Sequence, residues 1–253
     1  MTGAEAHRPR STATLIVLGA AALTMFLGLL ALGVWQVERR AWKLDLIARV
    51  DQRVAAEPVA PPGPADWAGV NADRDEYRHV HISGRFLNDR EAQVTASTVK
   101  GAGYWVMTPL RADDGTVVLV NRGFVPTENR DPATRAAGQV EGPVTVTGLL
   151  RITEPKGGFL RSNDPAAERW YSRDVTAIAA ARGLTNAAPY FIDADAAPNP
   201  GGLPIGGLTV ISFPNSHLVY AITWFGLAAL LLVGVGYAVR SERRGRRDSK
   251  GSA

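Results

Sequence analysis

Cysteine is absent from the 253 residues, which excludes disulfides, thiolate-ligated zinc and cysteine nucleophiles. Copper(I) carriage is disfavoured as well, because such sites take thiolate or thioether ligands and Met25 and Met107 form no cluster. Catalytic signatures are missing: there is no Gly-x-Ser-x-Gly elbow, no phosphate-cradling P-loop and no His-Glu-x-x-His. Ser, Asp and His occur without a spacing that ties them together, so no enzymatic activity is expected. No internal repeat is visible. Charge is absent from two long stretches, Ser11–Val37 and Ala196–Val239. The net charge of +4 collects at the chain ends and beside the first of these stretches. The remainder is close to neutral, so no basic stripe marks a nucleic-acid partner.

What is present begins with the first uncharged run. Residues 13–37 are long and apolar enough for a transmembrane helix, and too long for the roughly 7–15-residue apolar core of a signal peptide. They are therefore read as a retained anchor. Gly19, Gly28 and Gly33 within it would let a second helix approach closely. Trp35 and Trp42 mark its end, where amphipathic rings favour the headgroup level. Glu38, Arg39, Arg40 and Lys43 follow at once, while Leu44, Ile47 and Val50 keep the helical period. An amphipathic stem helix is expected over 38–56, then a proline-rich loop to residue 69. The second span is expected at 217–239. The cluster Arg240, Arg243, Arg244, Arg246, Arg247 and Lys250 makes 240–253 a basic tail, which places that end on the cytoplasmic side. Residues 1–12 would then be a cytoplasmic tail too, and the domain between the spans would be translocated.

That domain, 57–213, alternates with a period of two. Strands are expected at Glu76–Gly84, Glu91–Ser97, Tyr104–Leu110, Thr116–Val120, Val144–Leu150, Pro189–Ile192 and Leu208–Ser212. Asp113-Asp114-Gly115 supplies a hairpin turn, and Arg173–Arg182 has helical spacing with Gly183 after it. The expected fold class is an α+β membrane protein. Two terminal transmembrane helices flank a β-rich barrel or sandwich with one inserted helix.

Four histidines are present. His79 and His81 share one strand face; strand alternation alone produces that, so they are read as solvent-facing rather than as a metal pair. His217 stands at the start of the second span, where an ionisable group invites a functional reading. On a helix it shares a face with Tyr220, Ala221 and Trp224. That set suits an axial ligand to a haem iron with aromatic walls; an interfacial His capping a span is the other reading. Arg39 and Arg40 suit either haem propionates or lipid headgroups. Asn121-Arg122-Gly123-Phe124-Val125-Pro126 is read as a structural turn with Arg122 paired to a carboxylate.

Taken in order, these residues resemble the Surfeit locus protein 1 family of cytochrome c oxidase assembly factors. The resemblance rests on Leu32-Gly33-Val34-Trp35-Gln36 with Arg39, Arg40, Trp42 and Lys43, then Thr108-Pro109 and Val120 through Pro126. It continues through Trp170, Arg173-Asp174, Phe191-Ile192-Asp193-Ala194 and Pro204-Ile205-Gly206-Gly207. It closes with Asn215-Ser216-His217-Leu218, Tyr220, Thr223-Trp224 and Gly226-Leu227. The resemblance implies a two-pass protein of the bacterial inner membrane with both termini cytoplasmic and a periplasmic domain. It implies a role in oxidase assembly: binding haem a transiently and assisting its insertion into oxidase subunit I, with haem a synthase and membrane lipid as further partners. His217 would be the iron ligand, and Tyr220, Trp224, Trp35, Arg39 and Arg40 would contact the cofactor. The alternative is a scaffold that holds an assembly intermediate without touching haem.

Overall fold

The computed structural model describes residues 11–251 apart from Lys156 and Phe159, and the side chains of 248–251 are left aside. The expected tail 1–12 thus lies almost wholly outside the described residues. The chain divides into a helical unit, residues 1–47 with 212–253, and a β unit, residues 48–211.

The helical unit holds most of α1 (Thr12–Ala55) and all of α4 (His217–Gly251). Each carries a stretch long and apolar enough to cross a membrane. A helix rises about 1.5 Å per residue, so roughly 20 apolar residues suffice. The charge gaps decide where those stretches fall. The helices continue past them because nothing breaks the pattern: no proline lies between Pro9 and Pro58, and none follows Pro214. Of the three glycines expected to admit a partner, Gly33 does so. A Cβ there would lie 2.5 Å from the Phe225 ring, whereas a Cβ at Gly19 or Gly28 would meet no other part of the described chain within 4 Å.

The β unit contains α2 (Ala72–Asp75), α3 (Val175–Ala181) and strands β1 (His79–Phe86), β2 (Ala92–Thr98), β3 (Gly101–Arg111), β4 (Val117–Pro126), β5 (Pro143–Ile152) and β6 (Ala187–Ala194). The strand order is β1-β5-β6-β4-β3-β2, and β1 also pairs with β3. That extra pairing, Arg85↔Arg111 and Phe86↔Leu110, closes β1, β5, β6, β4 and β3 into a ring and settles barrel over sandwich. Gly84 permits the closure, since a Cβ there would collide with the Arg111 carbonyl. All pairings are antiparallel except β4 with β6.

Strand alternation builds two cores. Val118 and Val120 join Val80, Leu110, Leu150 and Ile192 in one cluster. Leu119 between them packs with Phe191, Trp170 and Ile178 in the other. β4 is therefore buried on both faces, and so reads as a continuous apolar run. Asp174 caps α3 by accepting from Ala177 N–H at 3.0 Å, which satisfies an otherwise orphaned helix donor.

Several expectations are corrected. Leu208–Ser212 is not a strand. The preceding chain is held instead by Phe124 and Ile205, which exchange backbone hydrogen bonds at 2.9 and 2.8 Å, and by the Thr209 hydroxyl on Asp193 at 3.0 Å. The approach needs Gly123, whose φ is +128° and whose missing Cβ would strike the Ile205 carbonyl. The proline-rich loop contains a 3-10 turn, Pro64–Gly69, beside the Pro62 carbonyl, which accepts from Trp67 Nε1 and the Tyr190 hydroxyl. His79 and His81 are not simply solvated. Their Nδ1 atoms lie 2.8 Å from the Ala56 carbonyl and 3.1 Å from that of Pro58, so they fasten the segment after α1 to β1. Among the described residues no three His, Cys, Asp or Glu gather to hold a metal.

Among the described residues Arg122 is paired with no carboxylate. It is 2% exposed, donates to the Gly138 carbonyl at 2.5 Å and to Asn199 Oδ1 at 3.0 Å, and lies over the Phe86 ring. Burial pushes its guanidinium down to about 10; Glu91 nearby opposes that shift and Arg135 adds to it.

Candidate functional site

Ser216 begins α4: its carbonyl accepts from the N–H groups of Val219 and Tyr220. His217 is thus the first helical residue, on the turn where backbone donors are unsatisfied. Its Nδ1 lies 2.7 Å from Oε1 of Gln36. Because an amide oxygen only accepts, the imidazole donates from Nδ1–H, and in the neutral ring this tautomer carries its lone pair on Nε2.

Gln36 earns its place by helix geometry. It lies three residues after Gly33, so both face the same side of α1. Ala221 and Phe225 follow His217 at four-residue steps on α4. Gly33 takes the Phe225 ring, Ala221 is buried, and Gln36 is 8% exposed. A primary amide in such an apolar seam needs a partner, and His217 provides one.

The other proposed site residues divide. Trp224 is half-buried, with an indole N–H that has no hydrogen-bond partner. Tyr220 and Trp35 are each 53% exposed and present open aromatic faces. The Arg39 guanidinium sits 3.9 Å over the Trp42 ring, and Arg40 is half-buried. Lys43 places its ammonium 5.1 Å over Phe213. The structure brings His217 and Gln36 together; it leaves Tyr220, Trp35 and Arg39 on exposed surface. Gln36 was missed as a site residue, because an amide at the edge of an apolar run reads as an ordinary interfacial polar group. Its three-residue spacing from Gly33 was the available signal.

The β unit holds the densest polar centre. Asp193 is 3% exposed and accepts from Asn121 Nδ2 at 2.7 Å, Arg151 Nη1 at 2.8 Å, Arg173 Nη1 at 3.1 Å and Thr209 Oγ1 at 3.0 Å. Glu154 and Glu76 flank the two arginines. Buried charges persist when paired and hydrogen-bonded in this way. The centre therefore locks strands together and presents no free acid or base.

Two membrane-length apolar helices at either end of the sequence of a small closed barrel, with a histidine–glutamine pair between the helices, define a two-span membrane protein. The chain belongs to the SURF1 family, whose model matches residues 23–229, a range that includes both Gln36 and His217. It is similar to Surfeit locus protein 1 of Homo sapiens, 41% identical over 217 residues, which cover 78% of this chain and 69% of that protein. A SURF1-like protein of Monosiga brevicollis is 42% identical over 215 residues, 79% of each chain. Another, of Drosophila melanogaster, is 36% identical over 218 residues, 78% of this chain and 69% of the relative.

Proposed function

We propose that this protein is an assembly factor for cytochrome c oxidase that binds haem a and assists its insertion into subunit I, with His217 Nε2 as axial ligand. The observation that carries the haem reading is the Nδ1–H bond from His217 to Gln36. Histidines that ligate metals almost always donate their other N–H to an acceptor, which fixes tautomer and ring orientation. The residues fit the group: a lone pair directed by a buried amide, exposed Tyr220 and Trp35 faces for an apolar macrocycle, and Arg39 and Arg40, within the next helical turn after Gln36, for propionates. Haem would supply an iron with an open axial position. The protein's part is to hold one imidazole and keep apolar surface beside it.

The family resemblance supports oxidase assembly. The basic residues after Val239 support cytoplasmic termini and a translocated barrel in a bacterial inner membrane. Haem a synthase is the donor this reading needs, and its contact with the chain belongs to the proposal.

The full chain is purified from cells that make haem a, and its absorption spectrum is compared with variants. His217→Ala should abolish or shift the haem bands while the protein stays in the membrane. Gln36→Leu should keep the ligand but weaken haem affinity about 10–100-fold, the usual cost of losing such a partner. The pair His79→Ala with His81→Ala should change nothing in the spectrum. An unchanged spectrum and affinity in His217→Ala would end the ligand reading and put the haem-free scaffold first.

A further inference from the structure

The helical unit is wedge-shaped. At one end Gly33 and Phe225 touch and Gln36 bonds His217. At the other end a Cβ at Gly19 would meet no other part of the described chain within 4 Å, and a cavity of about 360 Å³ separates the helices. Leu18 and Ala22 on α1 and Val235 and Val239 on α4 form its walls, and Arg243 and Arg246 stand at its mouth. Gly19 and Ala22 on α1 and Ala238 on α4 keep part of the lining short, so the gap stays open. An apolar gap left empty forfeits dispersion contacts along its lining, and in a bilayer the material at hand is acyl chain.

The charge at the mouth selects among lipids. Between Arg240 and Arg247 there are five arginines and one glutamate. Glu242 lines the mouth too, but its carboxylate is engaged by Arg246 Nε at 3.4 Å. We infer that this opening is an anionic-phospholipid site: one acyl chain fills the wedge between α1 and α4, and the phosphate is met by Arg243. Basic pockets between spans hold anionic headgroups for the same reason. The inference does not depend on haem binding, since the wedge opens at the end opposite His217.

The test uses the full chain in nanodiscs of dioleoylphosphatidylcholine with a minor share of dioleoylphosphatidylglycerol, followed by gentle extraction and native mass spectrometry. The expected result is one retained phosphatidylglycerol per chain, enriched over its share in the disc. Arg243→Gln, an exposed change that leaves the helices intact, should cut that enrichment about fivefold. Gly19→Phe fills the wedge and should release the retained lipid whatever its headgroup, with helicity unchanged by circular dichroism. Equal retention of both lipids by the wild type would overturn the site, as would retention unaffected by Gly19→Phe. A chain dimer that Gly19→Phe disperses would also overturn it, since the wedge would then seat a second copy.

Discussion

The two units handle buried polarity in opposite ways. In the β unit, Asp193 receives four donors and its arginines meet further carboxylates. In the helical unit, among the described residues, His217 has a single partner on one nitrogen, and the Trp224 indole N–H has none. A saturated network leaves nothing over for a ligand, whereas a half-used imidazole does. The sequence motifs divide along that line. Asn121, Gly123, Arg173, Asp193 and Ile205 meet one another in the barrel, so their role is to hold the fold, and the proposed binding role falls to Gln36 and His217.

The largest test of this contrast is Asp193→Ala. Removing the shared acceptor leaves Arg151 and Arg173 short of charge compensation in a buried site, which should cost about 3–5 kcal/mol. The barrel should lose its denaturant midpoint, followed by Trp170 and Trp105 fluorescence, while the helical far-ultraviolet signal persists. If barrel stability is unchanged, the centre is not structural and the contrast fails.

Gly33→Val comes next. It drives a branched side chain into the Phe225 ring and should cost about 1–3 kcal/mol by overpacking. A crosslink between cysteines placed on α1 and α4 would report the loss of pairing. Phe225→Ala in the same chain should restore it by making room.

The smallest effect concerns Arg122. Its folded guanidinium titrates at about 10, below the ordinary value, so in the window above pH 10 the unfolded chain holds more protons. Stability then rises with pH, by about 1.4 kcal/mol per unit at most from this group. Arg122→Met should lack that rise, and the difference between the two urea midpoints at pH 9 and pH 11 measures it. Parallel curves would show that the charge is better compensated than its contacts indicate.

How much of this was legible in the sequence follows from the range of each interaction. The charge gaps gave both apolar helices, and alternation gave most of the strands, because both signals are local. Ring closure through Arg85 and Arg111 and the parallel β4–β6 pairing were not legible, since they join residues distant along the chain. Leu208–Ser212 alternates like a strand but finds no sheet edge, and the neighbouring Pro204, Gly206 and Gly207 favour a turning connector. His217 was visible by its position at the start of a span. The carbonyl partners of Arg122 were not visible, because a buried arginine leads one to look for an acid.

The Gln36–His217 bond spans 181 residues of chain, and that separation has a consequence in time. At about 5–20 residues per second of synthesis, Gln36 waits roughly 10–35 s for its partner. Throughout that interval the intervening barrel is being made, and the amide has no histidine to receive. The imidazole can be oriented only after the last strand has left the ribosome and α4 has inserted beside α1. The pair is thus an end-of-synthesis event: a nascent or truncated chain stopped before residue 217 has the barrel strands but lacks the Gln36–His217 bond.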